Sequence, residues 1–174
     1  MKRNVEIVTD SEKKKIVGIY NIRFKGKRSI DWGQVREYLK NYDGAAYEIA
    51  ETKDIIYIGS DLPDEYSGSR YTYKLMGTLA KAKANAAQGI SELLETAVNK
   101  RFLKNRDPRH IRNARCGWYR YDVNFELPVY DEDGKIKRYN RFRANNVDSA
   151  FRRWKKYLYD ILDIKKETSN SLSP

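Results

Sequence analysis

The sequence has one cysteine, one histidine and no long apolar run, and each shortage excludes a class of protein. Cys116 is the only cysteine among 174 residues, so the chain can form no internal disulfide and no thiolate metal site. No stretch reaches the roughly 20 apolar residues of a membrane span. The basic start, Met1-Lys2-Arg3, is followed by no apolar run, so we expect no secretory signal. These shortages predict a cytoplasmic protein with no membrane partner.

The sequence also lacks the usual motifs for binding nucleotides and metals. The sequence contains no phosphate-binding glycine loop and no dinucleotide fingerprint. Its carboxylates are scattered, without the close spacing of a two-metal nuclease. We therefore expect no cofactor and no bound metal.

What the sequence does have is positive charge and aromatic side chains. Lys and Arg number 35 against 24 Asp and Glu, which gives a net charge of +11, and aromatic residues make up 13%. This balance favours a polyanionic partner, although a basic surface can also serve solubility alone. With 40% hydrophobic residues the chain can build one core, and we expect a single domain over residues 1–166 with a flexible tail over 167–174.

Periodicity predicts strands and helices along the first half. We expect strands over 4–9, 15–24, 45–50 and 54–58, because these runs are rich in β-branched and aromatic residues. Val35, Tyr38 and Leu39 have helical spacing after the capping candidates Ser29 and Asp31. Residues 61–70 contain Pro63 and Gly68, which predicts a loop. Two helices are expected next, from Tyr71 to Gln88 and from Ile90 to Phe102.

The second half predicts a long hairpin. Polar and apolar residues alternate strictly from Trp118 to Val129, and the segment Asp131-Glu132-Asp133-Gly134 is typical of a tight turn before a return strand over 135–144. Residues 147–156 have helical spacing and predict a short helix, followed by a strand to Ile164. The expected class is α+β, with a central antiparallel sheet packed against two to four helices.

Several phrases spread over nearly the whole chain resemble one known domain family. They are Ile30-Asp31-Trp32 with Tyr38-Leu39, Tyr47–Ala50, Tyr57–Tyr66, Ala80–Ile90, Gly117–Tyr121, and Tyr157–Ile161 running into Ile164–Asn170. Together they resemble the large polyvalent-protein-associated domain that is third in its numbered series. The resemblance implies a phage or mobile-element protein that acts in conflict with the host. The layout is also similar to the metal-independent ribonucleases of the barnase, EndoU, colicin and RelE group.

One segment departs from that family pattern. Relatives carry an Arg-His pair and an Asp-Gly turn before the Tyr-Leu-Tyr-Asp run, whereas this chain has Val147–Trp154 there. A histidine upstream of the Gly-Trp-Tyr-Arg-Tyr phrase is retained as His110. The departure favours a chain without catalysis, and the retained histidine favours catalysis.

Three residues are the catalytic candidates of a metal-independent ribonuclease. His110 is the only side chain with an ordinary pKa near neutrality, and it lies among arginines that could surround a phosphate. Arg120 and Glu126 share one face of the strand predicted over 118–129, so they could line one surface. The alternatives are an ordinary loop histidine and a strand arginine that pairs with an acid.

The candidates for nucleic-acid contact lie on a helix, in a basic stretch and on the return strand. On the helix, Lys81, Asn85 and Gln88 share a polar face, with a solvated face as the alternative, and Lys83 lies nearer the apolar edge, where it should pair or extend to solvent. The remaining candidates are all arginines: Arg109, Arg112, Arg115, Arg141 and Arg143.

The sequence leaves three hypotheses for function. The first is a nucleic-acid-directed effector of a mobile element that cleaves RNA without metal. The second is a basic module that binds nucleic acid without cleaving it. The third is an inhibitor that binds a host defence nuclease. Salt-sensitive binding, with or without cleavage, distinguishes them.

Overall fold

The computed structural model describes residues 3–26, 28–104, 117–152, 155–167 and 170–171. Its strands are β1 (Val5–Thr9), β2 (Lys15–Ile19), β3 (Ala46–Glu48), β4 (Ile55–Tyr57), β5 (Val98–Leu103), β6 (Trp118–Tyr130), β7 (Ile136–Arg152), β8 (Lys155–Lys166) and β9 (Asn170–Ser171). Its helices are α1 (Trp32–Leu39), α2 (Leu62–Gly68), α3 (Arg70–Lys74), α4 (Gly77–Ala86) and α5 (Ile90–Glu95).

A mixed sheet organises the molecule. Seven strands follow the order β1-β2-β6-β7-β8-β4-β3, while β5 pairs with β6 and β9 pairs with β7. The centre, β6-β7-β8, is antiparallel, and parallel pairings join β2 to β6 and β4 to β8. The predicted α+β class, with a sheet packed against helices, is confirmed.

The core lies between the sheet and the helices. Phe125 and Phe142 stack at the centre of the β6-β7 ladder, with ring centroids 5.2 Å apart. Helix α4 contributes four buried alanines, and their small size lets the chain approach the sheet closely. At Gly89, just after this helix, an added Cβ would lie 3.2 Å from the side chain of Ile19 and 3.3 Å from that of Val17. On β6, Tyr121 and Phe125 are fully buried, whereas Trp118 is only half-buried.

Local chemistry explains the elements that were predicted correctly. Asp31 caps α1 by accepting hydrogen bonds from the backbone N–H groups of Gly33 and Gln34. Asp131 closes the β6-β7 hairpin by accepting from the N–H groups of Asp133 and Lys135, each at 2.9 Å. The alternation from Trp118 onward forms β6 as predicted.

Four assignments were wrong. Most of the loop predicted over 61–70 is helix α2 (Leu62–Gly68), because Pro63 lies in the first turn, where a missing N–H costs no hydrogen bond. The strand predicted over 15–24 ends at Ile19. The helix predicted from Tyr71 is interrupted around Leu75 and Met76, between α3 and α4. The helix predicted over 90–102 ends at Glu95, and Val98–Leu103 instead forms β5.

The short helix predicted over 147–156 was also wrong, since β7 continues as a strand to Arg152. This part of β7 has hydrogen-bonding partners on both edges: Val147 pairs with Arg120 of β6 and with Asp160 of β8. Residues Asn146–Ala150 are buried. When successive residues of a strand are all buried, the sequence lacks the alternation of polar and apolar residues by which a strand is recognised.

Candidate functional site: a lysine and aspartate cluster beside an exposed strand

Asp54 is the centre of a cluster that draws on four separate segments of the chain. Its Oδ2 accepts hydrogen bonds from Thr52 Oγ1 and Tyr121 Oη, both at 2.8 Å. The same oxygen lies 2.8 Å from Lys100 Nζ, while Oδ1 lies 3.1 Å from Lys156 Nζ. One carboxylate therefore holds two ammonium groups and two hydroxyls.

The fold brings these groups together at the ends of its strands. Asp54 follows a tight turn in which Lys53 has a φ of 64°, and it immediately precedes β4. Strand β4 runs parallel to β8, with Ile56 opposite Lys156, so Lys156 comes within reach of Asp54. Lys100 approaches from β5 and Tyr121 from β6.

The pKa of Asp54 reflects this environment. Burial alone would raise it, but the hydrogen bonds from the two lysines, Thr52 and Tyr121 hold the pKa well below its usual range. Burial and the hydrogen bond to Asp54 together raise the pKa of the Tyr121 phenol. Asp54 is therefore a carboxylate at neutral pH and a weak base, suited to positioning cations rather than to accepting protons.

Tyr119 lies beside the same two lysines. Lys100 Nζ is 4.7 Å from the centre of the Tyr119 ring, and Lys156 Nζ is 5.0 Å from it. Ammonium groups at this distance are attracted to the negative face of an aromatic ring. Lys156 is only 9% exposed in its side chain, and Lys100 is 31% exposed. The cluster thus contains one buried ammonium group, that of Lys156, and one that solvent reaches, that of Lys100.

Asp148 is a second carboxyl close to the cluster, and it is fully buried. Its two oxygens have no hydrogen-bond partner among the described residues. Burial raises the pKa of Asp148 well above its usual range, although the positive charges of Lys156 and Lys100 oppose the increase.

Strand β5 is the exposed neighbour of this cluster. We call Asn99–Lys104 the β5 edge, because all six residues are exposed and β5 pairs with β6 on one side. The edge carries Lys100, Arg101 and Lys104 together with two exposed apolar side chains, Phe102 at 54% and Leu103 at 46%. Arg101 forms an ion pair of 2.9 Å with Asp122.

Four of the predicted site residues lie outside the described residues: His110, Arg109, Arg112 and Arg115. Their predicted roles stay predictions. In the sequence they follow the β5 edge directly, so residues 100–115 together hold seven Lys and Arg against one acid, Asp107.

Arg120 and Glu126 share a face of β6, as predicted, but they do not meet. They are six residues apart on a regular strand, which separates them by roughly 20 Å. Arg120 forms an ion pair of 2.7 Å with Asp163, the alternative that the sequence left open. Glu126 is buried and lies 3.5 Å from Arg141. The structure therefore brings neither to a shared phosphate position.

Arg141 and Arg143 of β7 and Lys81 of α4 are three further residues that were predicted to contact nucleic acid. Arg141 lies between Glu126 and Asp10, at 3.5 and 3.6 Å. Arg143 is exposed, and Lys81 is half-buried. Their predicted contacts with nucleic acid stay predictions.

The exposed polar face predicted for Asn85 and Gln88 was wrong. Asn85 is fully buried, and its side-chain oxygen accepts from the N–H groups of Arg23 and Phe24 at 3.0 and 3.1 Å. Gln88 is 2% exposed and donates to the carbonyl of Asn21 at 2.7 Å. Both amides thus fix the segment after β2, because a buried backbone without a strand partner needs side chains to satisfy it.

Lys83 is buried and paired, which is one of the two outcomes that its position near the apolar edge left open. Its Nζ lies 2.6 Å from Asp160 Oδ1, and the rings of Tyr66 and Tyr71 lie 4.7 and 5.1 Å away. Burial lowers the pKa of Lys83 and raises that of Asp160, and each charge opposes the shift of the other. With Lys83 fully buried, this pair joins α4 to β8 and presents no surface to a ligand.

Sequence reasoning missed Asp54, Asp148 and Lys156. Asp54 ends a polar turn and has no distinguishing neighbour. Asp148 lies in the mixed segment Val147-Asp148-Ser149-Ala150-Phe151, which gives no signal of a buried carboxyl. Lys156 came in the segment predicted as a helix, so its face could not be assigned.

No group of three or more potential metal ligands occurs among the residues that the structure describes. Within the same residues, no helix has both the length and the apolar character needed to cross a bilayer. Comparisons of the chain with family models, with curated proteins and with solved structures give no match.

Proposed function

We propose that this chain binds nucleic acid through the β5 edge, as a basic module of a phage or other mobile element. The carrying observation is the exposure of the whole edge, where Lys100, Arg101 and Lys104 stand beside the exposed ring of Phe102. Cations supply affinity for phosphates, and an aromatic ring beside them is what nucleobases stack on. The phage or mobile-element setting, and a host target, rest on the resemblance to the polyvalent-protein-associated domain alone.

The distribution of charge along the sequence supports the β5 edge as the binding surface. The β5 edge leads directly into the basic stretch, and seven of the 35 Lys and Arg residues fall between residues 100 and 115. At the edge itself, Asp54 pairs with Lys100 and Asp122 with Arg101, and Glu51 accepts a hydrogen bond from the N–H of Asn99. The excess of positive charge therefore comes from the basic stretch that follows the edge. A net charge of +11 adds long-range attraction for a polyanion.

The proposal does not include cleavage. Arg120 and Glu126 are too far apart to act on one phosphate, and Asp54 is too weak a base to take a proton from a 2′-hydroxyl. Metal-independent ribonuclease activity and inhibition of a host nuclease therefore stay predictions from the sequence.

Fluorescence anisotropy with labelled RNA and DNA oligonucleotides tests the proposal. Affinity should fall steeply as salt rises, because binding releases counterions. Arg101→Gln with Lys104→Gln should weaken binding and reduce the slope of log affinity against log salt by about 1.4 for single strands, at about 0.7 per phosphate contact. The matched control is Lys135→Gln with Lys137→Gln, two exposed lysines near the far end of β6, roughly 40 Å away.

The outcomes separate the three hypotheses. Salt-sensitive binding that is lost only in the β5-edge variant supports the proposal. Binding of neither RNA nor DNA contradicts it and favours a protein partner. Cleavage of the RNA in the presence of EDTA would restore the ribonuclease hypothesis, and His110→Ala should then lower the rate by about 10²–10⁴.

A further inference from the structure

Phe102 is an exposed aromatic ring held in a fixed position. Its residue is 54% exposed, yet one side of the ring lies against the backbone of Gly117. A Cβ added at Gly117 would lie 2.6 Å from Cε2 and 2.7 Å from Cζ of Phe102, and the φ of Gly117 is +105°. Both the space and the backbone conformation require glycine, so the chain keeps this position open for the ring.

The second support of the Phe102 ring is Tyr119. Phe102 and Tyr119 are directly opposite in the β5-β6 ladder, and their ring centroids are 5.2 Å apart. Tyr119 is itself held by Lys100 and Lys156, whose ammonium groups lie 4.7 and 5.0 Å from its ring. Asp54 in turn holds both ammonium groups, at 2.8 and 3.1 Å. A connected set of contacts therefore runs from the core to the exposed ring.

Holding an exposed phenyl ring in one position costs free energy, and a function of the ring would explain that cost. An exposed phenyl ring gains little from burial, and the packing around it restricts its rotamers. A ring that is already ordered loses less entropy when a planar ligand stacks on it. Lys100 lies on the Phe102 face of β5, where both contact the ring of Tyr119, and Lys104 follows at the end of the strand. These two cations would attract a ligand that carries both planar rings and negative charge.

We infer that the β5 edge binds single-stranded nucleic acid by stacking an unpaired base on Phe102, an inference that rests on the proposed function. A duplex hides its base faces except at its ends, whereas a single strand offers them along its length. The cations of the edge contact the phosphates of either form. Phe102 thus distinguishes single strands from duplex, and the lysines and arginines do not.

The test compares a short single-stranded RNA with a long blunt-ended duplex at equal phosphate concentration, so that unpaired bases and helix ends are a minor part of the duplex. Phe102→Ala should weaken single-strand binding by about 5- to 150-fold, the range measured for losing one base stack, and should leave duplex binding unchanged. Phe102→Trp, which keeps a stacking surface, should retain single-strand affinity. The matched control Tyr73→Ala removes a ring that is 89% exposed on α3 and should change neither affinity.

A second variant reaches the ring without altering it. Gly117→Ala places a methyl group where the Phe102 ring lies, so the ring must move, and single-strand affinity should fall while duplex affinity stays. A fluorescent base analogue in the single strand should be quenched on binding to the wild type and not to Phe102→Ala. Circular dichroism of each variant separates loss of the ring from loss of the fold.

Each outcome bears on one claim. Equal weakening of single strand and duplex in Phe102→Ala, or no weakening of either, overturns the stacking inference and leaves the proposed function standing. Wild-type protein that binds neither form overturns the proposed function, and the stacking inference with it. Selective loss in both Phe102→Ala and Gly117→Ala supports both.

Discussion

Tyr121 donates a hydrogen bond of 2.8 Å from its buried phenol to Oδ2 of Asp54, 67 residues away in the chain. The bond connects β6 to the turn before β4, although β7 and β8 separate β6 from β4 in the strand order of the sheet. Because Asp54 also holds Lys100 and Lys156, this contact links the core to the β5 edge. The stability of the core and the geometry of the proposed binding surface should therefore respond to the same substitutions.

Asp54→Asn should destabilise the fold at neutral pH. Removing the carboxylate leaves Lys156, 9% exposed, without its counter-charge, so we expect a loss of about 2–3 kcal/mol in the free energy of unfolding. The lowered pKa of Asp54 makes its contribution present above about pH 4 and lost as pH falls further. Urea unfolding should show a difference at pH 7 that shrinks towards pH 3. Glu132→Gln, in an exposed turn, is the control, and an equal effect there would contradict the prediction.

Asp148→Asn should show the opposite dependence on pH. The raised pKa of Asp148 means that the folded protein keeps a proton that the unfolded chain has lost. Wild-type stability therefore falls as pH rises from about 4 towards the folded pKa, whereas an asparagine cannot ionise. Relative to wild type, the variant should melt at a progressively higher temperature between pH 5 and pH 8. Parallel melting curves would show that Asp148 does not titrate in this range.

The buried pair Lys83 and Asp160 should respond to a double-mutant cycle. Lys83→Met should cost about 3–5 kcal/mol, because it leaves a buried carboxylate without its ammonium partner. Adding Asp160→Leu removes that charge and should restore part of the loss. Chemical denaturation of all four proteins gives the coupling energy. A coupling energy near zero would mean that the two groups do not interact as their 2.6 Å separation indicates.

Substitutions at three aromatic residues of β6 and β5 should separate the core from the surface. Phe125→Ala should cost about 3–5 kcal/mol, because Phe125 is fully buried and stacks on Phe142. Tyr121→Phe removes only the hydroxyl and should cost about 1 kcal/mol. Phe102→Ala, at the exposed edge, should leave the melting temperature nearly unchanged. A large loss in Phe102→Ala would show that this ring belongs to the core instead of to a binding surface.

Sequence patterns predicted the elements whose signals are local. The alternation that begins at Trp118 and the Asp131 turn gave the β6-β7 hairpin, and Asp31 marked the start of α1. They failed for β5 and for the end of β7, because Val98, Phe102, Val147 and Trp154 have spacings that suit a helix as well as a strand. The open edge of β6 and the two neighbours of β7 decide those segments, and no local pattern contains that information.

The site was less accessible to sequence reasoning than the fold. Lys83 was expected to pair or to extend to solvent because a charged group at an apolar edge needs one or the other, and the basic stretch indicated the neighbourhood of β5. The Asp54 cluster joins residues as far apart as 102 positions, with no characteristic spacing between them. Asn85 and Gln88 were placed on the surface because amide side chains usually solvate helices, whereas here they satisfy the backbone of an irregular segment.

The two parallel pairings also govern how fast the chain can reach its native state. Val17 pairs with Phe125 and Ile56 with Lys156, so both seams join segments about a hundred residues apart. Such contacts between distant segments give the fold a high contact order. We expect slow folding, because closing the long loops costs entropy before the new contacts compensate for it. The ribosome synthesises β1, β2, β3 and β4 before β6 and β8. The edges of β2 and β4 that pair with β6 and β8 therefore stay unpaired until those later strands have been made. Aggregation during that interval, more than marginal final stability, is the hazard that this topology creates.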